Sequence, residues 1–291
     1  MRIAVVGAGL AGLGVSYFLK KLGHDLTLFD ELGIGSGASG IPIGLCHPYL
    51  GRNGKPSKFA DEAIKATKEL IAAAEQASGK KLADQTGILR FDWTPFEWYS
   101  DLEKRGDAIL IKSGMTVLLG EYVKALYSSF SDVALVKKKY SGEEFDRVIF
   151  ACGSGMREFG LPLTFVKGQV LIGSTERPLE RSEMRAKGHL SRISETRVQL
   201  GSTYEHHYAS SAPDLEVAKK DLSEKWDAFF PHRDDFVVKE CWAGIRACVK
   251  EGYLPIVEKI SEKAFVFTGL GSRGLLYHAY YGRHLANMVC L

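Results

Sequence analysis

Three glycines and one aspartate near the amino terminus have the types and spacing to hold a dinucleotide. In Arg2-Ile-Ala-Val-Val-Gly-Ala-Gly-Leu-Ala-Gly-Leu-Gly, residues Gly7, Gly9 and Gly12 form G-x-G-x-x-G. The first glycine permits a tight turn, the second lets backbone approach a pyrophosphate, and the third lets a helix pack closely on a strand. Asp30 ends the next apolar stretch, Asp25-Leu-Thr-Leu-Phe. An acid there can hydrogen-bond a ribose diol and disfavours a phosphorylated ribose. Two arginines are the other candidates. Arg246 sits among apolar neighbours in Cys241-Trp-Ala-Gly-Ile-Arg-Ala-Cys, as a buried guanidinium facing an anion or as half of a structural salt bridge. Arg273 lies in Gly269-Leu-Gly-Ser-Arg-Gly, just before a helical run, where the helix dipole also favours an anion.

The elements that must position these residues can be read around them. Ile3 to Val6 predicts a strand, Leu10 to Leu22 a helix and Asp25 to Phe29 a second strand, which puts phosphate charge at the free amides of the helix N-terminus. Glu31 to Gly40 is too rich in glycine and small residues for a regular element; its amides and the Ser36 or Ser39 hydroxyls can meet a ligand, or it is a flexible loop. Val148 to Cys152 predicts a buried strand running into Gly153-Ser154-Gly155, and ligands of open α/β sheets sit at such carboxyl ends. Ala264 to Thr268 runs into the glycines around Arg273 and then a helix from Leu275 to Val289.

Elsewhere the periodicity predicts helices over Ser57 to Ser78, with Ser57 as N-cap and Gly79 as stop, over Val117 to Phe130 and over Glu216 to Phe229. Strands are expected over Gly87 to Trp93, Val166 to Gly173 and Arg197 to Tyr204. Trp93, Phe96, Trp98 and Tyr99 form an aromatic crowd that is core or the wall of a pocket. Lys137 to Lys139 reads as a solvated hairpin edge, and Glu176 to Arg197 as a polar turn with strand edges or a nucleic-acid face. In the apolar stretch Ile41 to Leu50, Cys46 beside His47 suggests packing, a metal or a covalent flavin link. His206 and His207 are adjacent, so on a strand they point to opposite faces and cannot share a metal.

Composition narrows the classes. A chain of 291 residues, 45% hydrophobic and 25% charged, can bury the core of one large domain or two. Its net charge of +3 permits nucleic-acid contact without demanding it. The five cysteines include no C-x-x-C, which points to neither a disulfide framework nor a zinc knuckle. Arg2 followed by apolar residues could pass for a signal peptide, but glycines at 7, 9 and 12 and an acid after the second strand have no place in one. A cytoplasmic protein with no metal and no membrane partner is expected.

Three glycine-rich strand ends, at Gly7, Gly153 and Gly269, exceed what a nicotinamide domain needs. Together they resemble the D-amino acid oxidase (DAO) superfamily of FAD enzymes across nearly the whole chain. More narrowly, Gly37-Ala-Ser-Gly40, Leu200-Gly-Ser-Thr-Tyr-Glu205, Ala243-Gly-Ile-Arg-Ala247, Leu254-Pro-Ile-Val257 and Gly269-Leu-Gly-Ser-Arg-Gly-Leu275 are similar, in order, to the oxidase domain of the bifunctional tRNA wobble-uridine modification proteins (MnmC). An aspartate often seen before the Leu-Pro step is here replaced by Glu251-Gly252-Tyr253.

The resemblance implies an α/β fold with a Rossmann-like FAD-binding domain (1–78, 113–160 and 251–291) and a sheet-based substrate domain (79–112 and 161–250). It implies that Gly7, Ala8, Gly9, Leu10, Ala11 and Gly12 hold the FAD pyrophosphate, that Asp30 and Glu31 lie at the ribose, and that Ala38, Ser39 and Gly40 lie at the flavin side. Gly153 would approach the dinucleotide, and Gly271, Ser272, Arg273, Gly274 and Leu275 the pyrimidine edge of the flavin, where Arg273 stabilises the charge of reduction. Arg246 would grip a substrate carboxylate, with Tyr204 and Gln169 lining the pocket. The implied reaction is hydride transfer from the carbon beside an amine to FAD, followed by imine hydrolysis, with no side-chain base. The implied substrate is carboxymethylaminomethyl-uridine in tRNA, with a methyltransferase partner on a separate chain. A free amino acid or small-amine oxidase and a non-catalytic flavin-binding protein are the alternatives.

Overall fold

The computed structural model describes residues 1–49, 54–130 and 132–291, so Leu50 of the expected apolar stretch lies outside them. The chain opens with β1 (Arg2–Val6), α1 (Leu10–Lys21) and β2 (Asp25–Phe29). Next come β3 (Ile43–Cys46), α2 (Ala60–Ser78), β4 (Ala83–Asp84), β5 (Ile88–Arg90), β6 (Leu102–Arg105), β7 (Ala108–Ile111), β8 (Met115–Leu118), α3 (Leu119–Ser128), β9 (Ala134–Val136) and β10 (Arg147–Phe150). The second half holds β11 (Leu163–Ser174), β12 (Glu183–Arg185), β13 (Gly188–Arg192), β14 (Arg197–Gly201), α4 (Leu215–Asp221), α5 (Ser223–Phe229), β15 (Val237–Val249), β16 (Ile256–Lys259), β17 (Ala264–Thr268) and α6 (Gly274–Val289).

One sheet has the order β16-β17-β10-β1-β2-β9, parallel except for β16. A parallel sheet is covered on both faces, which is why Ile3, Ala4 and Val5 are all apolar and fully buried. Ile3, Val5, Leu26 and Leu28 join the core formed with α1, α2, α3 and α6, while Ala4, Phe29 and Val148 face a second cluster with Tyr140, Phe145 and Phe150. Within the first core α1 and α6 touch backbone to backbone. A Cβ on Gly282 would lie 2.7 Å from the carbonyl carbon of Gly14.

The second large sheet runs β15-β11-β14-β13-β12-β5-β7-β6, and β3, β8 and β4 form a third. β11 and β15 pair antiparallel along most of their length, with Val166 opposite Arg246, Gly168 opposite Gly244 and Val170 opposite Trp242. Directly opposed residues share a face, and faces alternate along a strand. Leu171, Leu190, Val198 and Leu200 therefore face α4 and α5, where they pack with Leu222, Phe229 and Phe230. Arg246, Gly244, Gly168, Gln199 and His189 lie on the opposite face, toward the parallel sheet and its helices.

Several sequence expectations change. The helix expected from Ser57 begins at Ala60, and Ser57 contributes its carbonyl to the Ala60 amide rather than a side-chain cap. Gly79 is the stop, in the left-handed conformation at φ 67°. The run from Val117 to Phe130 is split, because Met115 to Leu118 pair with β3 as a strand before the helix starts. Glu216 to Phe229 is two helices that meet at Leu222. The strand expected to reach Tyr204 stops at Gly201, and the one expected over Gly87 to Trp93 is only Ile88–Arg90. Glu176 to Arg197 contains two full strands, β12 and β13, inside the eight-stranded sheet. Lys137 to Lys139 do not edge a hairpin, since β9 and β10 lie on different sides of β1 and β2. The aromatic crowd divides: Trp93 and Tyr99 pack with Tyr49, whereas Phe96 and Trp98 are 64% and 57% exposed.

Candidate functional site

The first part of the site is the turn between β1 and α1. Gly7 adopts φ 110°, which side chains rarely tolerate. A Cβ on Gly12 would overlap the Gly7 carbonyl oxygen. Asp30 Oδ2 accepts the Ala8 amide at 2.9 Å, so the acid stands beside the glycine turn, and Oδ1 accepts Gly33 N–H at 2.9 Å, bracing the loop that follows. That loop, with Glu31 exposed at its start, folds back over the head of α1. The Gly35 amide donates to the Ala8 carbonyl, and Ser39 Oγ accepts the Leu10 amide at 3.0 Å. Ala38, Ser39 and Gly40 form a short 3-10 turn there. α1 carries no acidic residue in its first turn, so its amides and dipole present an unopposed positive end. Ala11 is buried on the same turn.

Two further glycine turns reach the same place. Ala151, just before Gly153, packs so closely on Gly7 that a Cβ on Gly7 would overlap the Ala151 oxygen. Gly153 itself has φ 54°. Gly271, Ser272 and Arg273 form the 3-10 turn that leads into α6 at Gly274. A Cβ on Gly274 would meet Leu10 at 3.0 Å, and Leu275 packs against Gly44 of β3. The Arg273 guanidinium lies 4.3 Å from the Tyr253 ring centroid, and its Nε is buried with no hydrogen-bond partner among the described residues.

The third part comes from the eight-stranded sheet. Gly244 of β15 meets the 3-10 turn, where a Cβ would lie 2.9 Å from Ala38 Cα. Two residues on, Arg246 points from the same face, its Nη2 donating to the Thr203 carbonyl at 2.9 Å and its guanidinium 4.4 Å from the Tyr204 ring centroid. Burial lowers its pKa below the ordinary arginine value, yet a guanidinium remains charged in proteins. No carboxylate among the described residues pairs with it, which removes the salt-bridge alternative. Tyr204 is 54% exposed and forms an outer cover over Arg246. Gln169 lies elsewhere. It is fully buried on the opposite face, its oxygen accepting the Asp214 amide at 2.7 Å and its nitrogen donating to Glu205 at 3.1 Å. The alternation of the strand therefore separates it from Arg246.

The structure thus assembles three glycine turns, a helix head, an aspartate and a cation on one side, and a second, half-buried cation on the other. The family description DAO, FAD dependent oxidoreductase, matches residues 2–110 and 105–288. The chain belongs to the DAO family. It is 25% identical over 98% of its length to the bifunctional protein MnmC of Maricaulis maris, for tRNA 5-methylaminomethyl-2-thiouridine biosynthesis, and spans 51% of that protein. A 49-residue stretch is 49% identical to MnmC of Acinetobacter baylyi. In fold it is similar to glycine oxidase from Geobacillus kaustophilus, at a TM-score of 0.83 and 19% identity, covering 99% of this chain and 94% of that one. It is equally similar to iminodiacetate oxidase from Chelativorans sp. BNC1, at 0.83 and 16% identity, covering 99% and 95%.

Within this DAO fold, several residues that position the site were not singled out by sequence. Gly168 and Gly244 lie inside strands, and a glycine inside a strand signals close approach. Gln199 is fully buried and uses its amide to pair with the backbone of Ile43, accepting at 3.1 Å and donating at 3.0 Å. Cys46 and His47 are both buried. Burial pushes the Cys46 thiol up to about 12 and His47 down to about 3. No cluster of three metal-ligating side chains occurs among the described residues, and none of their helices is long and apolar enough to cross a membrane.

Proposed function

We propose that this chain binds FAD and oxidises the C–N bond of an amine that carries a carboxylate, most specifically carboxymethylaminomethyl-uridine of tRNA. The observation that carries the reading is Arg246, a half-buried and largely desolvated guanidinium on the sheet face toward the glycine turns, with no carboxylate among the described residues to pair with it. A buried charge is costly unless an opposite charge meets it, and a carboxylate accepts a bidentate guanidinium.

The residues fit FAD. A side chain on Gly7, Gly9 or Gly12 would collide with neighbouring atoms, so backbone can approach a pyrophosphate there, and Ala8, Leu10 and Ala11 complete the turn at which α1 offers its amides. Asp30 and Glu31 stand at the ribose end, and Ala38, Ser39, Gly40 and Gly153 close around the dinucleotide. The unpartnered Nε of Arg273, with the turn from Gly271 to Leu275, supplies donors for the flavin ring. The chemistry that FAD supplies when bound is acceptance of hydride from the carbon beside the amine, after which water splits the imine. Arg246 fixes the carboxylate and so aims that carbon. Tyr204 shields the ion pair from water, which strengthens it. Gln169 positions Glu205 and the start of α4 from behind the sheet.

The similarity to MnmC along nearly the whole chain favours the tRNA substrate. So does an open cleft of about 440 Å³ lined by Arg157, Phe165, His206, His207 and Tyr208, two residues beyond Tyr204 and free of acids. A second reading, oxidation of a free amino acid or small amine, is favoured by the end-to-end correspondence with glycine oxidase and iminodiacetate oxidase. Anaerobic bleaching of the flavin separates them. Bleaching by carboxymethylaminomethyl-modified tRNA, with affinity falling steeply as salt rises, is the expected result. Bleaching by glycine or sarcosine alone would move the enzyme to free amines, and a protein that purifies without flavin would refute both.

A further inference from the structure

His189, on the face that carries Arg246, has its proton placed by its neighbours. Gln199 accepts the Ile43 N–H at Oε1 and donates to the Ile43 carbonyl from Nε2, which fixes the orientation of its amide. The same Gln199 nitrogen lies 3.1 Å from His189 Nε2. An amide NH2 only donates, so His189 Nε2 is an acceptor and the neutral ring carries its proton on Nδ1. Burial, with the positive charges of Lys225 and Arg246 nearby, lowers the histidine to about 4 and keeps it neutral at pH 7. Nδ1 has no hydrogen-bond partner among the described residues, and it is not sealed from solvent. A free N–H donor is thus held on this face of the sheet.

The donor stands close to Arg246. His189 pairs with Gly201 and Gly201 with Val170, so the three share a face. The imidazole leans over Gly201, where a Cβ would come within 3.1 Å of its Cε1. The Arg246 guanidinium leans over Gly168, two residues before Val170 on the adjacent strand. Gly168 and Gly201 are therefore diagonal neighbours, about 7–8 Å apart, and a ligand of a few atoms bridges the groups above them. A second anion at His189 would favour the imidazolium, whose Nε2–H would then face the Gln199 NH2 donor to donor, so the place suits a neutral acceptor. We propose that His189 Nδ1–H is a specificity determinant of the substrate site, donating to a carbonyl oxygen on the substituent that the amine nitrogen carries beyond its carboxymethyl arm, such as the ring carbonyl of a pyrimidine base. This rests on the assignment of Arg246 to a substrate carboxylate and adds what the site reads on the other side of the nitrogen.

Nitrogen NMR of labelled histidines and calorimetry, both on the flavin-loaded protein, test it. The probes are N-acetylglycine, with a carboxylate on one side of its nitrogen and a carbonyl on the other, and pentanoate, of equal chain length without the carbonyl. At pH 7 His189 is expected as the Nδ1–H tautomer, its Nδ1 resonance moving on addition of N-acetylglycine and not of pentanoate. The Nε2–H tautomer, an imidazolium, an equal response to both probes or no binding of N-acetylglycine would overturn the proposal, and none of these readings needs a variant to fold. His189→Phe should weaken N-acetylglycine about tenfold and pentanoate by less than about twofold, and His189→Asn, which keeps an N–H near the place of Nδ1, should restore most of the loss. An equal loss of both probes would make His189 a carboxylate ligand or a packing residue, and no loss of either would mean no contact; each result overturns the proposal. Arg246→Gln separates the two claims. It should weaken both probes alike, and unchanged binding of both defeats the Arg246 assignment, whereas the selective loss in His189→Phe reports on His189 alone.

Discussion

The Arg246 guanidinium lies against the backbone of Gly168 on the neighbouring strand, so closely that one methyl group there would overlap Nη2. The two residues are two positions apart in register across the β11–β15 pair and so share a face, since Gly168 faces Gly244 and Val166 faces Arg246. Gly168→Ala is therefore expected to displace the guanidinium without removing it. The dissociation constant for acetate should rise by about tenfold or more, while overpacking lowers stability by roughly 1–3 kcal/mol. Calorimetry and thermal melting would check the two effects. Unchanged acetate binding would show that the position of Arg246 does not matter.

Gln169 acts on the other face of the same strand and should behave differently. Gln169→Leu leaves the Asp214 amide without its acceptor and removes a donor from Glu205, which already neighbours the buried Lys167 at 4.0 Å. A loss of roughly 2–4 kcal/mol in denaturant unfolding is expected. The acetate affinity of the folded fraction should change little. A selective loss of acetate binding at full stability would place Gln169 in the pocket instead.

Contact between α1 and α6 sets a third expectation. Gly282→Ala drives a methyl group into the backbone of Gly14 and Val15, and this should cost about 2–3 kcal/mol. Because the contact is two turns along α6 from the glycine turn at its head, flavin content per folded molecule should remain at the wild-type level, as absorbance would report.

Acid sensitivity follows from three buried histidines. Burial lowers His47 to about 3 and His189 and His278 to about 4. His278 is fixed as a neutral tautomer, Nδ1–H donating to the Leu275 carbonyl at 3.0 Å and Nε2 accepting from Tyr122 at 2.7 Å. Unfolded histidines titrate near 6.5, so between that value and about 4 the unfolded chain binds more protons than the folded one. Stability contributed by these groups is full above about pH 6.5 and falls as pH drops toward 4, by up to roughly 4 kcal/mol per pH unit when all three contribute. Urea unfolding at pH 5 and pH 7 would measure it. Equal stabilities would show that these rings take up protons without unfolding.

The part of the site built from neighbouring residues was legible in the sequence, and the part built across the chain was not. Gly7, Gly9, Gly12 and Asp30 lie in one strand-turn-helix-strand unit, and that unit has its expected ends to within one residue. Arg246 was visible as a charge among apolar residues, but its lack of a carboxylate depends on every segment folded around it. Gly168 and Gln199 gave weak signals because their work is done against Arg246 and Ile43, far away in sequence. The helix expected from Val117 failed for a related reason: Met115 to Leu118 have apolar spacing that suits either state, and pairing with β3 decides for strand. The resemblance alone implies a pocket position for Gln169, and the two-residue period of β11 turns its side chain to the opposite face.

The double hydrogen bond between Gln199 and the Ile43 peptide has a consequence for how this fold changes hands between reactions. One amide side chain ties the eight-stranded sheet to β3 as a further strand would, so the face that carries Arg246 is held in place against it. Tyr204, by contrast, is exposed on the loop after β14, which can be exchanged without disturbing it. A new substrate range can then be acquired by altering that loop alone, and an engineer who wants a different amine should mutate there and leave Gln199 in place.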